Sequence, residues 1–219
     1  YWQHRRKSNS KKTARKNIEF HYDLGNEFYK MWLDDSMAYS AGMYIEPTQT
    51  LQDAQINKFK LMFERLDLKP EHTVLEIGSG WGGFAIYAAK HAGCHVHSIT
   101  LSHEQLAEAR LRAEQAGVAD LVTFEIRDYR DVNEVYDTIN PAIFNHYRTK
   151  RDFIQKYIFP GGMLCPPGKF EDLSRGAGLR PADAGFYAED YADTLAQWHR
   201  NVLSVREKIV AQFDQRFLN

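Results

Sequence analysis

This sequence predicts an α/β fold: a mainly parallel sheet with helices on both faces and a helical lid. Three observations carry that prediction. A short apolar run, Val74-Leu75-Glu76-Ile77, leads straight into a glycine-rich turn, Gly78-Ser79-Gly80-Trp81-Gly82-Gly83, and then into a helix-like segment. Strand and helix patterns then alternate in series, the sequence signature of a parallel sheet with right-handed crossovers. The segment before the first strand is crowded with aromatic residues, which suits a cover over a site.

The elements follow in order. Residues 1–16 are polar and carry seven Lys or Arg (Arg5, Arg6, Lys7, Lys11, Lys12, Arg15, Lys16) and no acid, and they read as a basic linker. Residues 17–66 form the aromatic and helical lid part, with a short helix predicted over 26–33. Thr50-Leu51-Gln52-Asp53 is a capping-box pattern, and the helix behind it places Ile56, Phe59, Phe63 and Leu66 on one face. Residues 67–165 hold the α/β core. Strand one is predicted over 72–77, a helix over 84–91, strand two over 94–100, a helix over 102–115 stopped by Gly117, and strand three over 121–126. After Val135-Tyr136-Asp137, which reads as the entry to a fourth strand, the pattern breaks. No apolar run follows, so the central and last strands are expected to be missing, with the break near 137/138. Residues 166–219 read as a helical lid part.

Composition narrows the function. The chain has 219 residues, 43% hydrophobic and 26% charged, with no apolar run long enough for a membrane span, so a globular protein is expected. Cys94 and Cys165 give neither a disulfide framework nor metal spacing, which points to a reducing cytosol; nine scattered histidines add no metal site. Net charge of −1 argues against nucleic-acid binding. The basic start, with no apolar segment behind it, reads as a solvated linker or as an attachment to anionic lipid, not as a secretory leader.

The glycine turn, in the form E-x-G-x-G-x-G-G, resembles the first motif of S-adenosylmethionine (SAM)-dependent methyltransferases. Other blocks narrow the likeness. Asn17-Ile18-Glu19-Phe20-His21-Tyr22-Asp23-Leu24-Gly25-Asn26-Glu27-Phe28-Tyr29 resembles the opening of cyclopropane-fatty-acid-phospholipid synthases and mycolic-acid methyltransferases. Asp34-Asp35-Ser36-Met37-Ala38-Tyr39-Ser40, Thr100-Leu101-Ser102-His103-Glu104-Gln105, Asp128-Tyr129-Arg130-Asp131, the run 157–162 and the run 190–198 continue it. That family carries further residues at the 137/138 break, including strands four and five.

The resemblance implies a Rossmann-like methyltransferase that transfers a methyl group from SAM to a cis double bond of an unsaturated phospholipid acyl chain, and then closes a cyclopropane ring. A methylene- or methyl-branched product and a non-catalytic SAM-binding relative are the alternatives. For the cofactor it implies Tyr39, Ser40, Glu76, Gly78, Gly80, Gly82, Thr100, Leu101, Gln105, Asp128 and Tyr129. For catalysis it implies bicarbonate, held by Tyr191 and by Ala41 and Gly42, where family members commonly have a cysteine. Aromatic faces such as Tyr22, Phe28 and Tyr39 would stabilise a carbocation. It further implies a peripheral place at the inner membrane face, and leaves a homodimer open. Blander readings stand beside these. Ser102-x-x-Gln105 is also a helix cap, Asp128 also suits a turn, and any single tyrosine in such a segment can be core.

Overall fold

The computed structural model describes residues 24–136, 138–141, 167–176, 178 and 187–214. Its centre is a four-stranded, all-parallel sheet of order β3-β2-β1-β4. The strands are β1 (Thr73–Ile77), β2 (His95–Thr100), β3 (Val122–Ile126) and β4 (Thr138–Pro141). The helices are α1 (Asn26–Lys30), α2 (Leu51–Leu66), α3 (Gly83–Ala92), α4 (His103–Gln115), α5 (Pro167–Gly176), α6 (Ala188–Ser204) and α7 (Arg206–Phe213).

Local chemistry sets the helix limits. The Thr50 hydroxyl accepts from the Asp53 N–H while the Asp53 carboxylate accepts from the Thr50 N–H, the reciprocal pair expected before α2. Gly93 ends α3 in a left-handed turn. Ser102 caps α4 by accepting from the Gln105 N–H at 3.3 Å, but the Gln105 side chain turns to Thr100 instead of closing a capping box.

Two expectations need correction. Ile56 stands exposed; α2 buries Leu51, Ala54, Gln55 and Phe59, a stripe rotated from the predicted face, with Phe63 and Leu66 only partly buried. Thr138–Pro141, read as outside any strand, pairs in parallel with β1, Val74 opposite Thr138 and Ile77 opposite Pro141. Four residues are too few to show periodicity, and β1 supplies the free edge that orders them. Pro141, which has no N–H, stands at the end of that strand, where proline is tolerated.

Two apolar cores result. One lies between sheet and helices, where Val74, Val96 and Phe124 meet Phe84, Ala85, Ala88 and Ala109. The other is aromatic: Phe28, Tyr29, Trp32, Trp81, Trp198 and Ile209 join α1, the glycine turn, α6 and α7. Each large side chain so buried contributes about 1.5–3 kcal/mol. The second core therefore ties segments far apart in the chain to the loop at the end of β1.

Candidate cofactor site

From β1 the chain steps to β2 and β3 on one side and then returns past β1 to β4 on the other, so the strand order reverses between β1 and β4. Ligands of open α/β sheets bind outside the strand ends at such a switch point. Glu76 lies one residue from the end of β1. It is 2% exposed, opposite Ser98 in register, and Ser98 Oγ donates to its Oε2. Burial pushes the Glu76 carboxyl up to about 8, and the Ser98 hydrogen bond offsets part of that. A carboxyl held this way is ready to ionise beside an arriving cation.

The turn that follows is left-handed at each alternate glycine: Gly78 at φ +94°, Gly80 at +52° and Gly82 at +83°. Gly78 and Ser79 donate their N–H groups to the Ile99 carbonyl at 2.8 and 3.0 Å, which anchors the loop to β2. A Cβ on Gly80 would meet nothing within 4 Å, so this backbone is open to a ligand. At Gly82 a Cβ would lie 2.9 Å from Phe124 Cζ and 3.2 Å from Ala109 Cβ, so packing of the turn on β3 and α4 excludes a side chain there. Ser79 Oγ is buried with no hydrogen-bond partner.

At the end of β2, Thr100, Ser102 and Gln105 are all buried. Thr100 Oγ1 donates to Gln105 Oε1 at 3.1 Å and accepts from the Ser102 N–H at 3.2 Å, and Leu101, half-buried, lies between them. The capping role and the expected ribose site thus share the same atoms at a helix N-terminus. After β3, Asp128 accepts from the Arg130 N–H and guanidinium, so the turn role of this acid is realised too. Tyr129 is 41% exposed, with the Arg130 guanidinium 5.7 Å from its ring centre.

Residues 38–44 form a strap across this region. Tyr39 packs 5.6 Å from Tyr29, 5.5 Å from Trp32 and 5.1 Å from Trp198, centre to centre. Ser40 Oγ accepts from Lys58 Nζ at 2.8 Å. The Gly42 N–H donates to Thr194 Oγ1 at 2.9 Å and the Tyr44 N–H to Asp190 Oδ1 at 2.6 Å, so α6 grips one side of the strap. Arg112 binds the carbonyls of Asp35, Ser36 and Trp81 at 2.8, 3.0 and 2.7 Å, and so joins the segment before the strap to the glycine turn.

The fit to two small molecules can be judged from these residues. The open turn at Gly80, the buried Glu76 and the partnerless Ser79 hydroxyl fit SAM, whose amino-acid end brings an ammonium and a carboxylate. For bicarbonate, the Gly42 N–H is already engaged by Thr194 and Tyr191 is 41% exposed. Among the described residues no group of His, Cys, Asp and Glu could hold a metal ion.

Sequence reasoning passed over Ser98, Lys58, Arg112 and Thr194. Only Ser98 left a signal: it is polar at an inward strand position directly opposite Glu76.

The family model described as mycolic acid cyclopropane synthetase matches residues 9–151 and 138–219. The chain belongs to that family. The join between the two matched stretches falls where the strand pattern breaks. A "Probable fatty acid methyltransferase" of Pseudomonas putida is 31% identical over 254 residues, covering 97% of this chain and 64% of that protein. That alignment is longer than the 219-residue chain, so it contains gaps. "Tuberculostearic acid methyltransferase UfaA1" of Mycobacterium tuberculosis is 32% identical over 95% of this chain and 60% of its own length. The "Cyclopropane-fatty-acyl-phospholipid synthase" of Escherichia coli K12 is 32% identical over 90% and 59%. The chain thus spans about three fifths of the curated relatives it matches. For the fold, the mycolic acid cyclopropane synthase CmaA1 "complexed with SAH and CTAB" superposes with a TM-score of 0.83 at 22% identity, over 93% of this chain and 88% of that one. The cyclopropane synthase MmaA2 of Mycobacterium tuberculosis gives 0.84 at 22% identity over the same shares. The fold is therefore that of an α/β methyltransferase of this family.

Proposed function

We propose that the protein is a SAM-dependent C-methyltransferase acting on the cis double bond of an unsaturated phospholipid acyl chain. The observation that carries this is the buried Glu76 carboxyl at the sheet's switch point, beside a backbone turn open at Gly80 and under an aromatic layer. When bound, SAM supplies an electrophilic methyl group on its sulfonium. Glu76 takes the cofactor's ammonium, Gly78 and Gly80 let backbone approach, Thr100, Leu101 and Gln105 take the ribose hydroxyls, and Asp128 and Tyr129 flank the adenine. Tyr39 and Ser40 close the site. An alkene is a weak nucleophile, so the acyl chain must be held close and aligned. Rings such as Phe28 and Tyr39 exclude water, which would trap a cationic product, and each stabilises positive charge by about 0.5–2 kcal/mol. Tyr22, expected to share that role, lies outside the described residues.

Loss of a proton from the transferred methyl group to a base closes the ring and gives a cyclopropane fatty acid. A second reading, a methylene- or methyl-branched product, is favoured by Ala41, which stands where family members commonly have a cysteine, and by the Gly42 N–H, which Thr194 engages. Two relatives, a "Probable fatty acid methyltransferase" and the "Tuberculostearic acid methyltransferase UfaA1", are named for methylation with no mention of a ring. Lipids from cells expressing the complete protein decide between them by mass and NMR analysis. Cyclopropane ring protons support closure, a branch methyl without them supports the second reading, and unmodified lipids with intact SAM binding leave a non-catalytic relative.

A peripheral place at the cytoplasmic membrane face belongs to the same proposal. It rests on the basic segment 1–16, which lies outside the described residues. Among the described residues no helix is long and apolar enough to cross a membrane. Removal of residues 1–16 from the complete protein is expected to weaken binding to anionic vesicles, and unchanged binding removes this part. A homodimer stays a matter for mass measurement in solution.

A further inference from the structure

Lys58, half-buried on α2, reaches the strap, and its role there is unassigned so far. It donates to Ser40 Oγ at 2.8 Å and to Gln55 Oε1. Gln55, fully buried, in turn donates to the Ser40 carbonyl at 2.8 Å. Among the described residues no carboxylate comes within ion-pair distance of Lys58. Asp34 is the charged group that acts on it, and one of the Asp34 carboxylate oxygens is itself buried without a hydrogen-bond partner. Burial pushes the Lys58 ammonium down to about 7, with Asp34 opposing. A partly buried ammonium without an ion pair is costly, so its place beside Ser40 calls for a reason.

The hydrogen bonds say what the cation does. A serine hydroxyl has one proton. Ser40 Oγ already accepts from Lys58, so its own proton is available to another acceptor, and among the described residues none takes it. The strap sets the direction. Tyr29 packs on both Tyr39 and Trp81, and Arg112 joins the carbonyls of Ser36, just before the strap, and Trp81, so these two side chains link the strap to the glycine turn at the end of β1. That is the end of the crevice assigned to the cofactor's amino acid. Glu76 answers the ammonium there. The carboxylate needs a donor backed by positive charge.

We propose that Lys58 is a positioning residue for the cofactor's carboxylate, acting through Ser40: it fixes the Ser40 hydroxyl as a donor and supplies the charge behind it. This rests on the SAM reading of the site. A hydrogen bond to a charged group is worth about 1.5–3 kcal/mol, roughly ten- to a hundredfold in affinity.

The test is calorimetric titration of the complete protein with two ligands. S-adenosylhomocysteine carries the amino-acid end, and 5′-methylthioadenosine lacks it. Lys58→Met is expected to weaken S-adenosylhomocysteine about tenfold or more and to leave methylthioadenosine within about twofold. Lys58→Arg, which keeps the charge, recovers part of the loss. Ser40→Ala shows the same selective loss, and the double variant adds little to it, because the two residues act as one unit. If Lys58→Met does not fold, Ser40→Ala and Lys58→Arg carry the test, and Ser40→Ala must still discriminate between the ligands. Equal loss for both ligands, or no loss for either, overturns the inference while the cofactor reading stands. Wild-type protein that binds neither ligand sinks the cofactor reading and this inference with it.

Discussion

The glycine turn and the strap are built in opposite ways. The turn is local: Gly78 to Gly82 are contiguous, and backbone bonds from Gly78 and Ser79 to the Ile99 carbonyl of β2 hold its start. The strap is assembled from a distance. Its hydrogen bonds reach from Gly42 to Thr194 and from Tyr44 to Asp190, and its rings meet Trp198. A contiguous loop of glycines fixes where a cofactor can approach. A strap gripped by one remote helix, α6, couples that approach to the state of the lid.

The largest effect expected from breaking this contrast is on the turn's buried acid. Glu76 has a folded value of about 8, raised from 4.5 by burial, so its contribution is fully present below about 4.5 and is lost as pH rises through about 8. The free protein loses up to about 1.4 kcal/mol of stability per pH unit in that window. Lys58 runs the other way. Its folded value is depressed to about 7 from 10.5, so stability rises with pH above about 7. Chemical denaturation across pH is expected to show a minimum near neutrality to mildly alkaline pH, and Glu76→Gln removes the acid-side slope. A slope unchanged in that variant excludes the buried acid as its source.

Next come the glycines, which separate packing from ligand approach. Gly82→Val meets both a left-handed backbone and Phe124, and a loss of about 3 kcal/mol or more is expected from thermal unfolding. Gly80→Ala meets no atom and costs about 1 kcal/mol of backbone strain, but weakens S-adenosylhomocysteine binding. Equal unfolding losses at the two positions would erase the distinction.

Thr194→Val tests the strap. It leaves the buried Gly42 N–H without its acceptor, for a loss of about 1–3 kcal/mol. Amide exchange at residues 39–44 is expected to rise while the sheet stays protected. The smallest change is at Tyr191, half exposed on α6. Tyr191→Phe is expected to shift stability by less than about 0.5 kcal/mol. Any large loss of lipid methylation in that variant then reports a catalytic role, as the family resemblance implies.

Much of this molecule was legible before folding. β1, β2, β3, α3 and α4 came within a residue or so of their predicted limits, because strand and helix periods are local properties of sequence. The acid beside the glycines was legible for the same reason. β4 was not, since four residues carry no period and depend on the edge of β1. Lys58, Arg112 and Thr194 were not, because each looks like an ordinary residue of its helix until its partner from another part of the chain arrives.

The sequence by itself determined the alternation of strands and helices, the left-handed turn at Gly78 to Gly82 and the placing of Glu76 at its start. Those depend on side-chain shape, backbone freedom and near neighbours. Tertiary structure alone decided that Gly82 is a packing position, that Gly42 is spent on Thr194 and that a lysine stands behind Ser40. Each of these depends on which atoms meet across many residues of chain, and no local pattern encodes such a meeting.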